Sequence, residues 1–178
     1  IPGFHNIENA LAAAALAMYH GLTPEEVKNG IASFKGVKRR FEYHVETEEH
    51  VLIDDYAHHP TEITACLKSV KALYPNEKLV AIFQPHLFSR TKDFVDGFAE
   101  SLSQFDQVLL LEIYPARELP MEGVDANLIL NQVSIANKQA ASKENLMEKL
   151  AIMDIELLLT VGAGDIDTMV KPIQELVG

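Results

Sequence analysis

Four short apolar runs, His50–Asp54, Leu79–Phe83, Val108–Leu111 and Ile155–Val161, are separated by stretches whose apolar residues recur at helical spacing. Strands that alternate with helices of this length need crossover connections, and crossovers bring strands back side by side in the same direction. The pattern therefore predicts an α/β fold with a mostly parallel, doubly wound sheet. Phe41–Thr47 also reads as a strand and is joined to His50–Asp54 at Glu48-Glu49, which predicts an antiparallel hairpin at the sheet edge.

The helices follow from spacing and from stop signals. One is predicted from Pro60 to Leu73 before Pro75, and Phe94, Phe98 and Leu102 mark the face of another. Others are expected around 125–135 and 142–150. A last helix would turn Ile166, Met169, Val170, Ile173 and Leu176 inward, with Pro172 kinking it or delaying its start. Ahead of the sheet, residues 6–20 place Ile7, Leu11, Ala14 and Met18 on one helical face that stops at Gly21. Thr23-Pro24-Glu25-Glu26 then supplies an N-cap, a proline at the first helical position and a capping-box glutamate for a second helix ending near Phe34. This helical hairpin lies outside the strand–helix alternation, so residues 1–35 are expected to close a neighbouring domain and residues 36–178 to form the sheet domain. The start at Ile1-Pro2-Gly3, without methionine, fits a piece of a longer protein.

Of the 178 residues, 48% are hydrophobic and 23% charged, an ordinary composition for a globular chain. No apolar run approaches the roughly 20 residues that cross a bilayer, so no membrane association and a cytoplasmic location are expected. A formal net charge of -11 disfavours a nucleic-acid surface, which needs clustered cations. The single cysteine, Cys66, shares a helical face with Ile63, Leu67 and Val70 and reads as core.

Strand carboxyl ends share one edge of a parallel sheet, and in such folds ligands bind there. Three consecutive strands end in ionisable clusters: Asp54-Asp55-Tyr56-Ala57-His58-His59, Gln84-Pro85-His86 with Ser89-Arg90-Thr91, and Glu112 with Tyr114-Pro115-Ala116-Arg117-Glu118. Asp55 could instead cap the helix that Pro60 begins, and one of His58 and His59 is expected to be held by backbone at that helix start. The two histidines lack the spacing of a helical zinc pair. On the loop after Leu79–Phe83, His86 and Arg90 suggest a carboxylate clamp, since a guanidinium takes a carboxylate bidentately, with imidazole and phenol completing the pocket. The bland alternative is a surface loop of ion pairs. Gly162-Ala163-Gly164 lacks the third glycine of a dinucleotide fingerprint, because residue 167 is Asp, and reads better as a tight strand-to-helix turn. A GxxxxGK motif followed by Ser or Thr is absent. Arg39 and Arg40 sit at the junction of hairpin and sheet, either as a solvated linker or facing a phosphate, while Asn6 and Asn9 either cap the first helix or present amides to a base.

Taken together, Phe4-His5-Asn6-Ile7-Glu8-Asn9-Ala10, Gly36-Val37-Lys38-Arg39-Arg40-Phe41, Asp54 through Glu62, and Phe83-Gln84-Pro85-His86 with Ser89-Arg90-Thr91 resemble the Mur ligases over essentially the whole chain. The resemblance implies the last helices of a central ATPase domain followed by a Rossmann-like carboxy-terminal domain. It implies an ADP-forming, amide-forming reaction of peptidoglycan synthesis in which ATP, with magnesium, activates the carboxylate of UDP-N-acetylmuramate as an acyl phosphate that the amine of L-alanine attacks. By motif, Asn6 and Asn9 would face adenine, Arg40 the terminal phosphate and Asp55 the ribose hydroxyls. Tyr56, His58, His86 and Arg90 would form the pocket for L-alanine and the adjoining acyl group. Magnesium ligands and the missing amino-terminal and central domains would lie outside this chain. Leu87 stands where relatives often carry a second basic residue, a charge that Arg117 would replace. The alternatives are a recycling ligase that attaches a tripeptide to the same sugar nucleotide, and a non-catalytic α/β binding module.

Overall fold

The computed structural model describes residues 2–178. The chain forms two compact units, one up to Lys38 and one from Arg39 to Gly178. In the first, α1 (Phe4–Tyr19) ends in a Schellman turn: Gly21 at φ 92° lets its own N–H reach the Met18 carbonyl and the Leu22 N–H reach Ala17. α2 (Pro24–Ser33) opens with the capping box of Thr23 and Glu26. Within this unit Ile7, Leu11 and Met18, the apolar stripe of α1, stay exposed.

The second unit is a six-stranded sheet in the order β1-β2-β6-β3-β4-β5. β1 (Glu42–Glu46) pairs antiparallel with β2 (Val51–Asp55), with a bulge between Tyr43 and Val45. β3 (Leu79–Phe83), β4 (Gln107–Leu110), β5 (Lys138–Ala140) and β6 (Leu157–Val161) are parallel to β2. β2, β3 and β6 are buried along their whole length, as strands covered on both faces must be.

Alternate strand residues feed two cores. Ile53, Ala81, Phe83 and Leu159 pack with Ile63, Cys66, Leu67 and Val70 of α3 (Pro60–Leu73) and with Phe98 and Leu102 on one face. Leu52, Val80, Ile82 and Leu158 pack on the other face with Leu146, Leu150 and Ile173. Each fully buried Leu, Ile or Phe contributes about 1.5–3 kcal/mol over leaving it exposed, so this two-sided burial locks the strand register.

After β3 the chain departs from the expected loop. Residues 88–93 form α4 (Phe88–Asp93), and the chain breaks at Phe94 before α5 (Val95–Leu102). Arg90 therefore sits on a helix. A six-residue helix is too short to announce itself by periodicity, and its first turn is capped by a residue far along the sequence. The helix expected around 125–135 is only α6 (Ala126–Leu130), N-capped by Asp125. The edge strand β5 has no counterpart in the apolar pattern; it has three residues, and only pairing with β4 creates it.

α7 (Lys143–Leu150) begins after the Ser142 cap, as its sequence predicts. α8 (Asp167–Val177) runs through Pro172, and Leu176, expected inward, is exposed while Val177 packs on the core. No described helix is long and apolar enough to cross a membrane.

Candidate functional site

β2, β3, β4 and β6 end on one sheet edge. The first residues there, Asp54 and Asp55, still belong to β2 and are 1% and 8% exposed. Asp54 accepts from Arg39 Nε at 3.0 Å and from Thr160 Oγ1 at 2.6 Å. Arg39 also donates to the Gly162 carbonyl at 2.7 Å, tying the start of the domain to the β6 turn. It is neither a solvated linker nor a phosphate ligand, because its guanidinium is consumed by buried acceptors. Arg40 is exposed, with its guanidinium carbon 5.6 Å from the centroid of the Tyr56 ring.

Asp55 accepts the Phe41 N–H through one oxygen and the Ala57 N–H through the other, each at 2.8 Å. It does not cap α3; His59 does, with Nδ1 accepting from the Thr61 N–H. Burial pushes the Asp55 carboxyl up against the opposing pull of those two bonds. The Cys66 thiol also bonds this carboxylate.

His58 Nδ1 lies 2.9 Å from the Tyr56 carbonyl and 3.3 Å from Glu62 Oε2, two groups that accept, so this nitrogen is placed to donate. Glu62 holds the His58 backbone N–H at 2.9 Å. From Tyr56 a row of rings crosses the strand ends: Tyr56 to His58 at 5.2 Å, His58 to His86 at 6.0 Å, and His86 stacked with Tyr114 at 5.8 Å. The three ionisable clusters thus meet.

His86 Nδ1 and Arg90 Nη1 are buried without a hydrogen-bond partner. Burial, then the Arg90 charge and His58, push the His86 imidazole below its ordinary value, with Glu118 opposing. A permanent cation beside a neutral imidazole, both with unsatisfied buried nitrogens, is an incomplete polar set that a carboxylate completes. Asn6 and Asn9 belong to the first unit: Asn6 donates to the Pro2 carbonyl at 2.6 Å, and Asn9 is exposed one turn along α1. Arg117 is exposed, and Leu87 takes a positive φ of 71°.

Sequence reasoning passed over Lys143 and Asp165. They flank a cleft of about 180 Å3 that Gln84 and Tyr114 also line. Lys143 and Asp165 form a short ion pair, and Gln84 spans Asp165 and the Ile166 N–H at 2.8 and 2.9 Å. Burial works against the Asp165 carboxylate, but Lys143 and Gln84 more than offset it and hold it below the usual range. The detectable signal was Gly162-Ala163-Gly164-Asp165 after a strong strand: a Cβ at Gly164 would stand 2.3 Å from Gln84 Oε1, so the tight turn is also a close approach.

Glu42, His44 and Asp54 could gather ligand atoms within 4.8 Å of one another. Arg39 fills that place: Nε pairs with Asp54, and its backbone N–H donates to Glu42 at 2.7 Å. A guanidinium on the carboxylate does not fit a divalent cation.

The family model described as Mur ligase, glutamate ligase domain, matches residues 39–165. The UDP-N-acetylmuramate–L-alanine ligase of Flavobacterium johnsoniae is 50% identical over 176 residues, covering 99% of this chain and 39% of that protein. The ligase of the same name from Flavobacterium psychrophilum is 53% identical over 175 residues, again covering 39% of its length. The crystal structure of the UDP-N-acetylmuramate–alanine ligase of Thermotoga maritima superposes with a TM-score of 0.80 at 32% identity, covering 98% of this chain and 38% of that one. A murein peptide ligase from Psychrobacter arcticus shares the fold, with a TM-score of 0.72 at 24% identity. The chain spans about two fifths of the curated relatives it matches.

Proposed function

Because the chain belongs to the Mur ligase family, we propose that it is the carboxy-terminal part of the ATP-dependent ligase that joins L-alanine to UDP-N-acetylmuramate in the cytoplasm. Residues 1–35 are the closing helices of the central ATPase domain, and residues 36–178 are the domain that receives the amino acid. The single observation carrying this reading is the pair of orphaned nitrogens, His86 Nδ1 and Arg90 Nη1, beside His58 and Tyr56. In the bound state the Arg90 fork and His86 take the alanine carboxylate, and Tyr56 and His58 wall the pocket where its amine meets the acyl group.

The carboxylate oxygen of UDP-N-acetylmuramate attacks the terminal phosphorus of ATP and ADP leaves. The alanine amine then attacks the acyl carbon, losing a proton, and inorganic phosphate leaves with the electron pair of the broken bond. Arg40 is an exposed cation available to the phosphoryl oxygens. Asp55 serves the ribose hydroxyls, and Asn6 and Asn9 serve adenine. Magnesium would neutralise phosphoryl charge, with its ligands mostly outside this chain.

The test is phosphate release by the full-length protein with ATP, UDP-N-acetylmuramate and L-alanine. Dependence on alanine is expected, with Arg90→Ala raising its KM by about tenfold or more. Turnover supported by a murein tripeptide in place of alanine would assign the recycling reaction instead.

A further inference from the structure

The geometry points to Glu118 as a positioning residue that sets the amino-acid pocket from the loop after β4, by holding the first turn of α4 on which Arg90 rides. This rests on the ligase reading above. α4 has six residues, too few for a helix to persist unsupported. Its N-cap, Leu87, supplies no side-chain bond. Glu118 takes that place from 29 residues away: Oε2 accepts the Ser89 N–H at 2.9 Å, and Oε1 accepts the Ser89 hydroxyl in a short bond. A carboxylate there also faces the positive end of the helix.

The same loop grips the chain on the other side of His86. The Tyr114 N–H donates to the Pro85 carbonyl at 2.8 Å, and the Leu87 N–H donates to the Tyr114 carbonyl at 2.9 Å. His86 therefore sits between two backbone bonds to Tyr114 and under its ring. Glu118 is itself fixed, its N–H donating to the Pro115 carbonyl at 2.9 Å in a turn where Ala116 adopts φ 51°. His86 and Arg90, whose Nδ1 and Nη1 are buried and unsatisfied, thus take their places from Tyr114 and Glu118. Glu118 touches neither substrate nor phosphate in this reading; it acts through Ser89.

The test compares Glu118→Ala and Glu118→Gln in the full-length protein, measuring KM for L-alanine, ATP and UDP-N-acetylmuramate, and kcat. A glutamine can still accept the Ser89 N–H and donate to the Ser89 hydroxyl, so it keeps the tie without the charge. Glu118→Ala is expected to raise the alanine KM about tenfold while leaving the other two within about twofold, and Glu118→Gln to restore most of the loss. An alanine KM that does not change, or all three KM values rising together, overturns the inference while the ligase reading stands. A wild-type protein without alanine-dependent turnover fells both. Should Glu118→Ala not fold, Ser89→Ala, which removes one of the two bonds, is expected to raise the alanine KM about threefold; an unchanged value overturns the inference.

Discussion

Arg39 and Asp54 form a nearly buried ion pair, 3.0 Å from Nε to Oδ2, with side chains 12% and 1% exposed. It joins the residue that opens the sheet domain to the end of β2, and through the Gly162 carbonyl to the end of β6. Removing one member of a buried pair leaves the other charge without compensation, a loss of about 3–5 kcal/mol. Arg39→Ala is therefore expected to lower the urea midpoint of the 178-residue chain strongly. Arg39→Lys should fall between, since an ammonium cannot span Asp54 and Gly162 as the fork does. An alanine variant within about 1 kcal/mol of wild type would refute the structural role.

Asp55 answers two backbone N–H groups with its two oxygens. Asparagine has one acceptor oxygen, so Asp55→Asn turns an NH2 toward the N–H of Phe41 or Ala57. The expected loss is about 1–3 kcal/mol in chemical denaturation. A neutral or stabilising result would mean that the Phe41 and Ala57 N–H groups are satisfied without a second carboxylate oxygen.

Gly164 leaves no room for a side chain. Its missing Cβ would lie 2.3 Å from Gln84 Oε1 and 2.6 Å from Tyr114 Cβ. Gly164→Ala is expected to destabilise by about 1–3 kcal/mol and to disturb the His86–Tyr114 stack, seen as changed aromatic chemical shifts. Unchanged shifts and stability would show that the turn yields easily.

The pH dependence has a definite sign. The His86 pKa is depressed below its ordinary 6.5, so below that value the unfolded chain binds the extra proton more readily than the native one, and acidification favours unfolding. The loss sets in as pH falls through 6.5 and is complete below the depressed folded value. His86→Gln is expected to flatten the stability profile as pH falls through 6.5. The lowered carboxylates Glu118 and Glu144 act in a separate window, losing their contribution as pH falls below their ordinary 4.5. If the wild-type and His86→Gln profiles run parallel through the upper window, the assignment to His86 is wrong.

The 178-residue chain alone is expected to release no phosphate from ATP, with or without L-alanine and UDP-N-acetylmuramate, because it contains no GxxxxGK phosphate loop. Turnover by the purified chain would mean that a phosphate cradle of another kind lies within its own residues.

Much of the fold is legible in local pattern. Pro60–Leu73 and Leu79–Phe83 form over the residues their sequence predicts, since a proline start and an apolar run are near-neighbour signals. The ring row of Tyr56, His58 and His86 is also foreshadowed, because strand direction alone sends those residues to one edge. β5 and α4 are not legible, being too short for periodicity and dependent on partners elsewhere in the chain.

The amino-acid sequence by itself determined the alternation of strands and helices, the hairpin of α1 and α2, and the residue types gathered at the sheet edge. Tertiary structure alone decided that Arg39 is a structural cation while Arg40 stays exposed, that Glu118 caps α4, and that Lys143 and Asp165 border the site. The physical reason is sequence separation. Arg39 reaches partners 15 and 123 residues away, and Glu118 reaches across 29. Those partners include backbone carbonyls and N–H groups that almost every residue carries, so no pattern of side chains along the chain can reveal which of them will meet.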